Sequence, residues 1–551
     1  MRFRRTIGTA VAATTVALGA VVTTAGPASA AHVGCGAVIT TNTTLDSDIG
    51  PCPASGLTVT ASNTTLNLNG HRVFAANGEG DHAGIILKRV KNVSVKNGTV
   101  EGFDAGVLIA QGSGNFVSAL TLRDNINDGL GGACNLGDGI TIRNSDNNRI
   151  VNNQLFHNGP FGGISLVTDS DSNLIKSNHV EDSNVVGVGC GNPNQDEGIR
   201  IEGPGANYNR VEDNTVIRGL LAGIGLHGNV GCQTAPPGNP PPGSPNTDNF
   251  VVNNKVRLTA GAAAANGIAV LEQGPLGSIV CAAFRNTFTG NTSTDNQGSG
   301  IFIGSTSVDN VISANLVNNN GVDGIYLGGP FGIDVFTDIG PTLLDLVVPD
   351  QPTFVAGTDY RALNGSGSGD VTAPLVAVGA INLTQPIGFD SATSGCDPAD
   401  FIGFPDGAVA LIQRGFCARD LKVQNAIDAG ASAVILFNEG SLGRTGLVIA
   451  GVGQKPIPVV DATFATGQAL YNLTQSEPEV IVHVVTNTIY SVFPASGAEN
   501  NTLYNNRGTG NAEHDGHDDN PRCDNNDWVA NKFGTVNRIC VTANGGAGVV
   551  T

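Results

Sequence analysis

Two asparagines five positions apart, set around an apolar centre, recur nine times along the chain. The frame is NVSVKN at 92–97, NRIVNN at 148–153, NLIKSN at 173–178, NRVEDN at 209–214 and NFVVNN at 249–254. It continues as NTFTGN at 286–291, NVISAN at 310–315, NTLYNN at 501–506 and NDWVAN at 526–531. Unrelated loops do not preserve a spacing over more than four hundred residues, so the chain is built by repetition.

A second marker keeps step with the first. A glycine followed by an aliphatic residue opens a short apolar run at Gly84, Gly106, Gly139, Gly163, Gly198, Gly223, Gly267, Gly300 and Gly324, as in GIILK, GITIR, GIRIE and GIYLG. From glycine to the next asparagine is usually 8 to 11 residues, and from asparagine to the next glycine 14 or 15. One unit is therefore about 22 to 25 residues long. Runs of four or five residues, with Gly, Asn and Asp at every break and no amphipathic helical spacing, exclude the helical repeats. What remains is a coil of short strands, each turn lying parallel on the one before.

In such a stack, equivalent residues at a bend sit about 4.8 Å apart and asparagine amides can hydrogen-bond along the column. Asparagine also tolerates the left-handed backbone that tight bends need. The alternating Ile, Val and Leu of the GIxI runs point inward, each contributing about 1.5–3 kcal/mol on burial. The asparagine frame is thus scaffold. The pattern resembles the right-handed parallel β-helix of pectate-lyase-like proteins over roughly residues 32–330 and 490–551, with LNLNGH (66–71) in an early coil.

Departures from the period mark where the scaffold carries something. Asn115 to Gly139 and Asn173 to Gly198 are 24 and 25 residues, about ten more than the usual spacing, and include GGACNLGD and GVGCGNPNQDE. Gly223 to Asn249 and Gly267 to Asn286 hold further loops, one of them the proline-rich TAPPGNPPPGSPN. Gly324 to Asn501 spans 177 residues, after which the period resumes. Within that excursion, GAVALIQRGFC (407–417), AVILFN (433–438) and IPVVDATF (457–464) have the look of buried strands. ARDLKVQNAIDAGA (418–431) has helical spacing at Leu421, Ala426 and Ala429. A βαβ unit follows. The strand–RG–x–C turn, the helix ending AGA and the strand ending Phe437-Asn438-Glu439 resemble the protease-associated (PA) domain. Membership would imply a non-catalytic lid or docking surface for peptides or protein partners. The chain has neither an HExxH zinc helix nor a GxSxG serine elbow.

Arg2, Arg4 and Arg5 ahead of an uncharged Ala/Val/Thr run ending Ala28-Ser29-Ala30 form an export-signal pattern. The expected organisation is a signal peptide at 1–30, β-helix at 31–332, an inserted PA-like domain at 333–490, and closing coils with a cap at 491–551. No later apolar run approaches the roughly 20 residues of a membrane helix. Without the three leader arginines, 25 basic side chains face 47 acidic ones, a balance that disfavours nucleic acid and anionic membranes as partners. Ten cysteines in an exported chain imply five disulfides. Proximity in sequence pairs Cys35 with Cys52, Cys396 with Cys417 and Cys523 with Cys540, then Cys134 with Cys190 and Cys232 with Cys281.

Alternation within GIxIx turns the second and fourth residues after each glycine outward. This builds the rows Thr141, Ser165, Arg200, Gly225 and Arg143, Val167, Glu202, His227. Asp138, Asp196 and Glu197 end the two long loops beside them. Asp138, Arg143, Asp196, Glu197, Arg200, Glu202 and His227 are therefore the candidate catalytic set. Arginine or a cation such as Ca2+ neutralises a uronate, and a base or paired acids act on the sugar. The plainer alternative is a solvated charged face, and the active-site motifs of pectate lyases and polygalacturonases are absent. EHDGHDDNP (513–521) gathers His514, Asp515, His517 and Asp518 near Asp323 as candidate metal ligands, or as a polar cap turn. Trp528 fills an aliphatic position of the frame and is expected to pack inside. Two functions follow: a secreted extracellular scaffold binding glycan, protein or peptide partners through its loop-rich face and PA-like domain, or an enzyme that cleaves an acidic polysaccharide.

Overall fold

The computed structural model describes residues 30–551 except 77–81, 128–135, 184–196, 204, 228–245, 262–264, 272–282, 385–386, 388–390, 442–443, 448–450, 496 and 524. Residues 1–29 of the expected signal peptide at 1–30, Asp196, and the expected pairs Cys134–Cys190 and Cys232–Cys281 lie outside the described residues.

Each coil contributes three short strands, stacked in parallel register on the coils before and after it. The first face is laid down by the glycine-led runs. Asp138–Arg143 pairs with Gly162–Val167, that strand with Glu197–Glu202, and so on through Ala222–His227, Asn266–Leu271, Ile301–Ile303 and Ile325–Leu327. The second face is the centre of each asparagine frame, such as Arg149–Val151 on Leu174–Lys176. The third face follows the frame's second asparagine, such as Gln154–Phe156 on His179–Glu181. Ile140, Ile142, Ile150, Leu155, Ile164 and Leu166 are fully buried in one continuous core cluster running from Ile39 to Val541.

The asparagines stand at the two bends flanking the second face, and their side chains point inward. Asn148 Nδ2 donates to Oδ1 of Asn173 at 2.9 Å, while the Asn148 backbone N–H reaches the same oxygen at 2.8 Å. Asn153 repeats both bonds to Asn178 at 3.0 Å. The column thus satisfies backbone groups that the bends strip from the strand ladders. The left-handed residues are the ones just before the ladder asparagines, for example Asn147, Asn152, Ser172 and Ser177, rather than the ladder asparagines themselves. NVSVKN at 92–97 is out of phase by one. Asn92 and Asn97 are left-handed, and Asn92 Nδ2 bonds Asn63 Oδ1 at 3.1 Å on the exterior. The inner position beside Asn115 is held there by Val93.

After Ile325–Leu327 the chain leaves the coil. Phe331–Asp338 and Thr488–Ala495 form a two-stranded antiparallel stalk. Beyond it, parallel strands Val409–Gln413, Ala433–Phe437 and Val459–Ala462 pack with the helix Arg419–Asp428. Leu421 is 46% exposed, so the buried face of that helix is Lys422, Val423, Asn425 and Ala426 instead of the expected Leu421 stripe. The third strand stops at Ala462 because Thr463 caps a second helix, Phe464–Ser476, its hydroxyl accepting from Thr466 N–H. The coil then resumes: Thr502–Tyr504 pairs with Val311–Ser313, Arg507–Thr509 with Leu316–Asn318, and Gly516–Asp518 with Ile325–Leu327. Disulfides Cys35–Cys52, Cys396–Cys417 and Cys523–Cys540 are formed.

Candidate functional site

The candidate site residues fall on the first face, where two rows of outward positions follow the glycines. The register brings Thr141, Ser165, Arg200 and Gly225 into one row and Arg143, Val167, Glu202 and His227 into the next. Asp138, Gly162 and Glu197 share a third row at the strand entrances. A groove of about 270 Å³ opens over these rows, lined by Asp138, Arg143, Phe161, Ser165, Arg200 and Glu202 together with Val167, Thr168 and Gly203.

Four of these groups are buried, while Arg143 and Glu202 are partly exposed. Asp138, Glu197, Arg200 and His227 are 3%, 0%, 6% and 1% exposed. Asp138 accepts hydrogen bonds from Ser165 Oγ at 2.5 Å and Thr141 Oγ1 at 2.6 Å. Burial nevertheless holds its carboxyl above the usual aspartate range, against the pull of those hydroxyls and of Arg200 and Arg143. Arg200 pairs with Glu202, lies 3.7 Å from Glu197 Oε2, and sits 5.7 Å above the Phe161 ring.

Glu197 and His227 stand beside the groove rather than on its wall. His227 Nε2 lies 2.5 Å from Glu197 Oε1. Glu197 Oε2 and His227 Nδ1 complete no hydrogen bond among the described residues. Gly225 makes room for this pair, since a Cβ there would stand 3.0 Å from Glu197 Cγ. The structure thus gathers Asp138, Arg143, Arg200 and Glu202 at one opening, with Glu197 and His227 behind it.

The same outward row continues along the solenoid to Ala269, Phe302, Tyr326 and His517. Phe302 and Tyr326 stack with centroids 5.2 Å apart and planes within 7°. GIFIG and GIYLG place an aromatic at the second position after the glycine, so extending the rows past Gly225 would have found this platform from sequence.

In the late coil the four expected ligands divide. His514 and His517 turn outward toward Asp323. Asp518 does not join them: it pairs in register with inward-facing Leu327 and accepts from Trp528 Nε1 at 2.9 Å and from Asn520 and Asn526. Asp515 ends an asparagine column, accepting from Asn511 Nδ2 at 2.6 Å and from the backbone N–H groups of Gly534 and Thr535. Glu513 and Asp323 stand beside the two histidines in place of these aspartates.

Comparison with known proteins agrees with this architecture. A family model for a right-handed β-helix region matches residues 34–280, and one for the PA domain matches residues 371–470. The chain is a right-handed parallel β-helix protein carrying a PA domain. Among curated proteins it is similar to an aminopeptidase of Pseudomonas aeruginosa, 38% identical over 160 residues, which are 28% of this chain and 29% of that protein. A probable leucine aminopeptidase 2 of Aspergillus fumigatus is 34% identical over 132 residues, 23% of this chain and 24% of the other. The chain therefore spans under a third of the length of these relatives. Among solved structures, a periplasmic alginate epimerase aligns at TM-score 0.29 and 14% identity, over 49% of this chain and 65% of its own. The Dettilon tailspike protein aligns at TM-score 0.30 and 13% identity, over 64% and 78%. Among the described residues no helix is long and apolar enough to cross a membrane.

Proposed function

We propose that this chain is an exported scaffold that binds a polysaccharide along its first face, with the groove at Arg143 and Arg200 taking a sugar that carries a carboxylate. The observation that carries this reading is the groove's composition. Two guanidinium groups, Arg143 and Arg200, line one opening together with Asp138 and Glu202, and a guanidinium is suited by geometry and charge to a carboxylate. Phe161 offers an apolar wall to a sugar ring, and Ser165, Thr168 and the acids offer hydrogen-bond partners to its hydroxyls. A groove of this volume suits a single saccharide unit better than a protein side. The PA domain would serve as a docking arm. The disulfides suit an oxidising compartment.

A second reading, turnover of the bound polysaccharide by lyase or hydrolase chemistry, is favoured by the paired Glu197 and His227 and by Asp138. Titrating the protein with uronate-containing and neutral polysaccharides by calorimetry tests binding. Assays for unsaturated products and new reducing ends test turnover. Binding of a uronate polymer, weakened about tenfold or more in Arg143→Ala, is expected, since a charged hydrogen bond is worth about 1.5–3 kcal/mol. An absence of binding across the panel, or equal binding by Arg143→Ala, would remove the assignment.

A further inference from the structure

We propose that Asp323, Glu513, His514 and His517 form a site for a divalent transition-metal ion of the zinc class, which ties the coil before the PA domain to the coil after it. Each residue offers one ligand atom, and these atoms all lie within 4.8 Å of one another. Nδ1 of His517 and Nδ1 of His514 stand 3.1 and 3.4 Å from Asp323 Oδ1. The set draws on two segments far apart in sequence: His514 N–H already reaches Asp323 Oδ1 across 191 residues.

A second, independent observation points to a cation site. Asp323 is 1% exposed, and among the described residues neither its Oδ2 nor Nδ1 of His514 completes a hydrogen bond. A buried carboxylate oxygen and a nearby imidazole nitrogen that both lack a partner are costly, and a bound cation would satisfy them.

The surroundings of His517 fit the same reading. Its Nε2 lies 2.9 Å from Asp519 Oδ1, and Asp519 Oδ2 accepts from the Tyr326 hydroxyl at 2.7 Å. A metal-binding imidazole commonly hands its other N–H to a carboxylate held in this way, which fixes the tautomer and leaves the remaining lone pair for the ion. Here that lone pair is on Nδ1, the atom turned to Asp323. Two imidazole nitrogens with two carboxylate oxygens suit a four-coordinate zinc-like ion, whereas calcium takes oxygen ligands only.

The full-length protein, stripped with EDTA and dialysed, is titrated with zinc chloride by calorimetry, with melting temperature followed in parallel. One equivalent is expected to bind and to raise the melting temperature. His514→Ala and His517→Ala should each weaken zinc binding by at least about 100-fold, because loss of an outer partner alone costs 10–100-fold. Asp519→Asn, which keeps all four ligands, should weaken it by about 10–100-fold. Should the histidine variants misfold, Asp519→Asn and the exposed Glu513→Gln still decide the matter. Absence of both heat and melting shift in the wild-type protein overturns the proposal. So does zinc binding of unchanged affinity in the variants, which would place the ion elsewhere.

Discussion

Asn310 donates its side-chain amide to Oδ1 of Asn501 at 3.0 Å, joining two residues 191 positions apart as though they were one coil apart. Asn315 and Asn506 make the same contact at 3.0 Å, and Asn320 and Asn511 at 2.8 Å. Three asparagine columns therefore pass across the point where the PA domain leaves and re-enters. The solenoid does not register the interruption in its hydrogen bonding.

The middle rung gives the sharpest test of that continuity. Asn315 Oδ1 accepts from both nitrogens of Asn291, and its amide donates to Asn506 and to the Phe288 carbonyl. Asn315→Ala leaves several buried groups unsatisfied, at about 1–3 kcal/mol for each that water cannot reach. We expect a loss of about 2–4 kcal/mol in urea unfolding with an unchanged m-value. A change below about 0.5 kcal/mol would show the columns to be incidental.

The glycine row has a different physical cause from the asparagine columns. A Cβ on Gly106 would stand 2.6 Å from the carbonyl oxygen of Gly139 and 2.6 Å from Leu122 Cδ2. The first of these is backbone of the next coil, which cannot swing aside. Gly106→Ala is expected to destabilise by about 1–3 kcal/mol through overpacking, read by chemical denaturation. A neutral or stabilising result would mean that the coils can part locally.

Much of this was legible because the repeat puts one residue type at one structural position, coil after coil. The faces, the rows and the excursion after Gly324 all follow from two spacings. The shift at 92–97 was not legible, because Asn92 meets the spacing while occupying the outer left-handed position beside Asn63. The expected ligand group divides in the structure for a related reason. The chain gathers Asp515 and Asp518 with His514 and His517 in sequence, but strand alternation puts Asp518 in the inward row above Leu327, where it meets Trp528. Asp323 was placed near the histidines by sequence, but it and Glu513 lie outside the strands, where alternation gives no direction. In the inserted domain, Leu421 fits an apolar spacing yet faces outward, while Lys422 is buried in its place.

Asp138 makes a pH-dependent prediction. Burial raises its folded-state pKa above the unfolded value of about 3.9, so the native protein holds more protons than the unfolded chain between those two values. Stability from this residue is therefore fullest below about pH 4 and falls as pH rises through the window up to the folded pKa. Asp138→Asn removes the term. The variant should melt above the wild type at pH 7, by a margin that shrinks toward pH 4. A gap of the same size at both pH values would mean that the carboxyl is not held toward its neutral form.

The closing coils carry their own reporter. Trp528 is the one tryptophan in the sequence, 1% exposed, packed edge-on against Phe533 at 6.0 Å and bonded through Nε1 to Asp518. Its emission thus reads only the windings after the PA domain, whereas far-ultraviolet circular dichroism reads every strand. Because the columns and the hydrophobic core run unbroken from one side to the other, the two signals should melt together. Cys523–Cys540, closing 17 residues around this coil, contributes about 3 kcal/mol in the chain-entropy account. Replacing both cysteines with serine should shift the tryptophan transition to lower temperature and, if the coils are one cooperative unit, carry the dichroism transition with it. A tryptophan transition that moved alone would show that the last windings unfold as a separate piece, and that the bonds spanning residues 310 and 501 do not couple the two sides.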